Sequence, residues 1–252
     1  MAQLRVATWN IGAGILGESH QENGEEELTY HIDLIRRQNP DILCLQEAHD
    51  YLGAKESQTA EIAREAGYEF AHSVPISPSH LGSDAHLALG ILSKYPISDV
   101  TYTEFPNPNL SATGPGGNEW VLFDKGYATC AVSVDGEDVS LVNAHCFPLH
   151  YFNASPTEAR FEPMWREFSD RLLALRSTRR TVATIDLNHE PIDELLPAVL
   201  APDLYVNAFT APTIPKGIQQ DYVLYDSAFA LAAQEVLPTQ ADHSYCQVVL
   251  QL

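Results

Sequence analysis

Residues 8–17 read TWNIGAGILG and continue the strand-like LRVA of residues 4–7. Gly12, Gly14 and Gly17 spell G-x-G-x-x-G, which cradles a dinucleotide phosphate when a helix opens at the third glycine. After Gly17 the chain runs ESHQENGEEE, with no apolar side chain before Leu28. A helix there has nothing to pack, and its N-terminus is crowded with carboxylates that repel phosphate. The parallel strand–helix alternation of such a fold is also missing. The glycines are therefore read as a loop, and the informative residue is Asn10. It ends an otherwise apolar or small-residue strand, where a buried amide costs free energy unless partners are in place.

The same oddity recurs at other strand ends. DILCLQE at 41–47 closes on Glu47, and VSLVNAH at 139–145 closes on His145, which shares a face with Leu141 and Asn143. VATIDLN at 182–188 ends with Asp186 and Asn188, whose i, i+2 spacing puts them on one face about 7 Å apart. Asp221 opens the strand DYVLYD, and Asp242 with His243 precedes the last strand. Each of these alone has an ordinary explanation, as a solvated carboxylate, a satisfied core histidine or an Asx turn. Gathered on one apolar scaffold, acidic oxygens with Asn and His suit a hard divalent cation such as Mg²⁺ better than a zinc site.

The frame around them is mixed α/β. Strand-like runs occupy 4–11, 41–47, 68–74, 86–93, 126–134, 137–145, 181–188, 220–226 and 245–252. DILCL presents no polar face, whereas YCQVVLQL alternates, which fits buried central strands and half-exposed edges in two stacked sheets. Helical spacing appears over 25–39, stopped by Pro40, and over 163–176, with Pro163 in the first turn. Weaker helices are expected over 56–66 and 191–200. The Pro- and Gly-rich stretches 107–118 and 211–219 are candidates for a functional rim. No linker or repeat divides the 252 residues, so one domain over 1–252 is expected.

Charge narrows the partners. With 14 basic against 34 acidic residues and a net charge of −20, the chain lacks the cations that neutralise nucleic-acid phosphates. Any polyanion must be met locally, by a metal or a few placed cations. No apolar run approaches the ~20 residues of a membrane span, and Cys44, Cys130, Cys146 and Cys246 show no metal-binding spacing. A cytoplasmic, reducing setting is the default expectation. Oligomeric state is not legible.

TWNI, PDILCLQEA, LGILSKYPI, LVNAHC, IDLNH, DYVLYD and ADHSYCQVVL, in this order, resemble the endonuclease/exonuclease/phosphatase superfamily, which includes deoxyribonuclease-like enzymes, abasic-site endonucleases, neutral sphingomyelinases and inositol polyphosphate phosphatases. The resemblance implies a four-layer α/β sandwich and a Mg²⁺-dependent (Mn²⁺ also serving) phosphoester hydrolase. It implies Glu47 as principal metal ligand with Asn10 and Asp242, Asp186 as the base that orients or deprotonates water, and Asn188 on the phosphoryl oxygens. His145 would contact the phosphate or leaving group, and His243, fixed by Asp221, would be the second imidazole.

The chain departs from the family pattern at Ile185, where glycine is usual, at Ala241, and at 86–88, where HLA replaces the acidic partner of the first histidine; His86 is a candidate substitute, and that role stays unassigned. Lys125 and Lys216 are the only cations near the expected rims. Tyr151, Phe152 and Trp165 are candidates for a specificity wall. A phosphodiesterase is the favoured activity; a DNA or RNA nuclease and a non-catalytic metal-dependent binding protein remain alternatives. The phosphate-ester substrate itself is not named by the sequence.

Overall fold

The computed structural model describes residues 3–17, 25–114 and 116–252. In chain order its strands begin with β1 (Gln3–Asn10), β2 (Ile42–Tyr51), β3 (Phe70–Pro78), β4 (Ala85–Ser93) and β5 (Ile97–Glu104). The short β6 (Ser111–Thr113) and β7 (Glu119–Val121) precede β8 (Gly126–Val134), β9 (Glu137–His145) and β10 (Thr181–Asp186). The last four are β11 (Tyr205–Asn207), β12 (Asp221–Asp226), β13 (Ala230–Leu237) and β14 (Tyr245–Gln251). The α-helices are α1 (Leu28–Gln38), α2 (Gln58–Ala66) and α3 (Glu162–Arg176).

Two six-stranded sheets result, with orders β13-β14-β1-β2-β4-β3 and β11-β12-β10-β9-β8-β5. β1 runs parallel to β2 and antiparallel to β14, while β10 runs parallel to β9 and antiparallel to β12. Alternation of side chains across each strand decides the layers. In β1 and β2, Leu4, Val6, Ile42 and Cys44 pack inward against Cys130, Leu141 and Val182 of the other sheet. Ala7, Trp9, Leu43 and Leu45 point the other way, onto Ile32 and Ile35 of α1 and Ile62 of α2. On the far side, Trp165, Phe168 and Leu172 of α3 cover Val142, Ala144 and Ala183. The sequence-expected sandwich of helices, sheet, sheet and helix is therefore the observed fold. Each fully buried Leu, Ile or Phe contributes roughly 1.5–3 kcal/mol.

The helix ends obey local chemistry. Ser57 caps α2 by accepting from the Ala60 N–H at 3.2 Å, and Gly67 ends it in left-handed backbone. α1 stops at Asn39, also left-handed, before Pro40. The helix expected over 191–200 is not formed; a 3₁₀ turn at Ile192–Glu194 and further turns replace it. Pro197 lacks the N–H and clashes with the preceding turn, although Leu195, Leu196 and Val199 are still buried. Three edge strands, β5, β11 and β13, have no counterpart in the expected runs. The stretch 107–118 is not all loop, since β6 and β7 pair as a small hairpin.

Gly12–Gly14 form a single 3₁₀ turn with positive φ at Gly12, Ala13 and Gly14, as a loop requires. Residues 18–24, the acidic stretch in which no dinucleotide-binding helix was expected, lie outside the described residues; the next described helix is α1. No described helix is long and apolar enough to cross a membrane. All four cysteines are free and buried.

Candidate active site

The sheet topology brings the polar strand ends to one end of the sandwich. Asn10 ends β1, His145 ends β9 and Asp186 ends β10. Asp186 pairs in register with His145 on one side and with Asp221 on the other, so three candidate side chains share one row across β9, β10 and β12. The antiparallel return of β14 beside β1 delivers Asp242 and His243 to the same end. That approach is pinned by the His243 carbonyl, which accepts from Trp9 Nε1 at 3.2 Å and Thr239 Oγ1 at 2.7 Å.

Glu47 is aimed by a β-bulge. In the β2–β4 ladder Leu45 faces Gly90 and Ala48 faces Ala88, so Gln46 and Glu47 together oppose one residue. Glu47 itself is left-handed, with φ 54°, a conformation costing a non-glycine residue roughly 1–2 kcal/mol. The preceding Gln46 side chain donates to Thr8 Oγ1 at 3.0 Å and to Asn143 Oδ1 at 2.6 Å. Asn143 in turn donates to the carbonyls of Leu45 and Gly90. This buried network ties the two sheets together directly beneath the bulge, and its mutual satisfaction is what makes such polarity tolerable in a core. Asn188 is left-handed as well (φ 55°). Its N–H donates to Asp186 Oδ1 at 3.2 Å and its amide to the Cys146 carbonyl at 3.1 Å.

Asp186 is fully buried and accepts from Asn10 Nδ2 at 2.8 Å, while Asn10 Oδ1 accepts the Gly12 N–H at 3.0 Å. His145 Nε2 lies 3.5 Å from Asp186 Oδ2 and 3.6 Å from Glu47 Oε1. His243 Nδ1 sits 2.8 Å from Asp221 Oδ2. Ligand atoms of Asp186, Asp221 and His243 all fall within 4.8 Å of one another.

These distances set the protonation states. Burial pushes the Asp186 carboxyl up, against the pull of His243, and the Asp221 and Glu47 charges push the same way. Burial opposes charge on His243, but Asp221, with Asp186 and Asp242, outweighs it and raises the imidazole well above its ordinary value. Burial and then the Lys125 charge drive His145 well below its ordinary value. For Glu47, burial would raise the carboxyl, yet Lys125, His145, His80 and His243 together hold it at about 2. The site thus contains an ionised Glu47, a cationic His243 and a neutral His145 around a carboxylate tuned toward proton uptake, the separation of roles that acid–base chemistry needs.

One participant was misjudged from sequence. Lys125, expected at a rim, is only 3% exposed. Its Nζ lies 3.1 and 3.2 Å from the two His145 ring nitrogens and 3.8 Å from Glu47. Gly126 permits this inward turn: a Cβ there would stand 2.3 Å from the Thr103 carbonyl. Lys125 thus occupies the side of His145 for which His86 was considered. His86 instead sits within β4, in register with Asp50 and Pro78. The signal that could have found Lys125 is its place just before a strand that begins opposite His145.

Asn10, Glu47, Lys125, His145, Asn188, Asp242 and His243 line a cavity of about 400 Å³, with Asp186 and Asp221 buried behind them. Tyr151 and Phe152 reach its wall, and so do both expected rim segments, through Asn118 and through Ile214–Lys216. Trp165 does not. It is buried in the core beside Phe105, its Nε1 donating to the Pro156 carbonyl.

The donor set fits a divalent metal. It is dominated by hard oxygens, with Asn10, Glu47 and Asp242 lining the cavity together. Fold and site together define a metal-dependent phosphoester hydrolase. The Endonuclease/Exonuclease/phosphatase family model matches residues 7–244, and the chain belongs to that family. An endonuclease/exonuclease/phosphatase from Beutenbergia cavernae shares 21% identity over 100% of this chain and 72% of that one, at a TM-score of 0.76. The human Nocturnin catalytic domain with bound sulfate anion shares 20% over 99% and 93% of the two chains, at 0.67. Truncated Caenorhabditis elegans TDP2 shares 15% over 99% and 98%, at 0.60. At these identities the likeness is one of fold. No curated protein sequence matches the chain.

Proposed function

We propose that the chain is a Mg²⁺-dependent phosphodiesterase in which Asp186 takes or orients the proton of the attacking water. The observation that carries this reading is the register row His145–Asp186–Asp221, backed by the 2.8 Å Asp221–His243 contact. Glu47, Asn10 and Asp242 would hold the metal, with Asn10 Oδ1 keeping a second lone pair beyond its bond to Gly12. When bound, the metal supplies Lewis-acid neutralisation of charge at the phosphoryl oxygens. The residues supply the rest. Asn188 would donate to a phosphoryl oxygen, the cationic His243 would stabilise negative charge developing on the phosphoryl oxygens, and Asp221 fixes its tautomer and position. His145, kept neutral beside Lys125, contacts the phosphate or leaving group. One domain over 1–252 and a cytoplasmic setting complete the reading, consistent with four free buried thiols.

The test is hydrolysis of bis-p-nitrophenyl phosphate with Mg²⁺ or Mn²⁺, with and without chelator. Turnover that chelation abolishes is expected. Metal-independent turnover, or none with either ion, overturns the reading.

A further inference from the structure

Asp221 and His243 belong to different sheets. Asp221 opens β12 of one, while His243 stands just before β14 of the other. Neither ladder by itself sets the distance between them, so a group outside the ladders has to. Thr213 is fully buried in a stretch, 211–218, whose other residues are exposed or half-buried. Its hydroxyl accepts the Gln220 N–H at 2.9 Å and the Asp221 N–H at 3.0 Å. Its carbonyl accepts the Ser244 N–H at 2.7 Å. That N–H belongs to the same peptide as the His243 carbonyl, which Trp9 and Thr239 hold from the opposite end. The peptide that follows His243 is thus fixed at both ends, and Thr213 grips the main chain beside both partners. Its own N–H donates to the Ile218 carbonyl at 3.0 Å, closing a loop whose tip, Ile214–Lys216, lines the cavity.

We infer that Thr213 is a positioning residue for the Asp221–His243 pair: it holds the two main chains so that the Asp221 carboxylate stays 2.8 Å from His243 Nδ1 and aims the imidazole at the cavity. The inference rests on the phosphodiesterase reading above and deepens it. Thr213 itself does not line the cavity, so it acts through the pair and not on a ligand. Its hydroxyl is the critical part. Two buried N–H groups share that one acceptor, and its removal leaves both without a partner unless the chain shifts at Asp221. A hydrogen bond weakens steeply once its angle is lost, and misplacing a group at the reacting centre by about 1 Å costs on the order of 10²-fold in rate.

The experiment compares, in the full chain, Thr213→Val, which keeps the shape and deletes the hydroxyl, with Thr213→Ser, which keeps the hydroxyl. In diester hydrolysis with Mg²⁺, the valine variant should lose about tenfold in kcat with KM within about twofold, and the serine variant should stay within about threefold of wild type. In Asp221→Asn, where the pair is already broken, adding Thr213→Val should cost less than about twofold. An equal cost in both backgrounds would reduce the hydroxyl to loop closure and overturn the inference. The second readout needs no turnover. The His243 Nδ1–H proton of the metal-free protein, assigned by its loss in Asp221→Asn, should be shielded from solvent exchange in wild type and Thr213→Ser. In Thr213→Val it should exchange about tenfold or more faster. Unchanged exchange overturns the inference, and so does a wild-type protein with no shielded ring proton. If the valine variant does not fold, Thr213→Ala deletes the same hydroxyl and serves in both readouts. Shielding that depends on the hydroxyl, in a protein without chelator-sensitive hydrolysis, would leave the positioning standing and remove the phosphodiesterase. Chelator-sensitive hydrolysis that Thr213→Val leaves intact would do the reverse.

Discussion

Of the imidazole–carboxylate contacts among the described residues, His243–Asp221 and His49–Glu26 make the instructive comparison, because His243 lines the cavity and His49 does not. His243 meets Asp221 at 2.8 Å, and His49 meets Glu26 at 2.9 Å. His49 uses its other nitrogen as well, 2.8 Å from Ser79 Oγ, and Ser79 Oγ also accepts the Leu81 N–H. Glu26 is further engaged by the Tyr51 hydroxyl and by Lys55. The result is a strap that holds the 79–82 loop, whose His80 and Leu81 edge the cavity. His243 instead lines the cavity, with Asp186 and Asp242 adding to the negative field around it. Pair geometry alone therefore does not define a working site. What distinguishes the two is access to a ligand and the carboxylates stacked behind one pair.

The sharpest break in this comparison is Asp186→Asn. The substitution keeps the shape but removes the proposed base and one of the two oxygens that accept from Asn10 Nδ2 and the Asn188 N–H, and single-turnover diester hydrolysis should fall by about 10²–10⁴-fold. Calorimetric Mg²⁺ binding should survive, because Glu47 and Asp242 remain. Loss of metal binding would make Asp186 a ligand first. Next in size is Asp221→Asn. Removing the charge that lifts His243 should lower its titration midpoint, read from imidazole resonances of the metal-free protein, and cut the rate by about 10–100-fold. A rate within twofold of wild type would break the pairing.

The smallest effect on rate belongs to Glu26→Gln, which should leave diester hydrolysis within about twofold because Glu26 holds a loop and touches no reacting group. Its effect is on stability. Burial would raise the Glu26 carboxyl, but hydrogen bonds from His49 and Tyr51 and the charge of Lys55 lower it to about 2. A depressed carboxylate stabilises the fold fully above its unfolded value of 4.5 and loses that contribution as pH falls toward 2. Thermal melts of wild type and variant should thus differ above pH 4.5 and converge on acidification. Parallel curves across the whole range would show that Glu26 does no electrostatic work.

How much of this was legible in the sequence depended on burial. Central strands such as β2, β9 and β10 announce themselves because apolar runs have few other uses, and polar residues closing those runs stand out. Asn10, Glu47, His145 and Asp186 were readable for that reason. β13 was not, since its ALAAQEVL is mostly exposed and an edge strand needs no apolar face. Residues 191–200 misled in the other direction: their leucines are buried by turns, which leave no periodic trace. Lys125 escaped because a lysine outside a strand looks like solvent-facing charge. Only tertiary packing, through the close passage at Gly126, turns it inward.

With Glu47 as the proposed metal ligand, the bulge in β2 places stability and chemistry in opposition at residue 47. Glycine is the residue that left-handed backbone prefers, so selection for thermal resistance alone should favour Glu47→Gly together with Lys125→Met, which removes the ammonium that Glu47 balances. The outcome would be a hardier protein with an inert cavity. At Asn188, whose side chain tolerates the same backbone, no such conflict arises. Residue 47 is thus the position at which an evolving lineage that abandoned catalysis would be expected to change first.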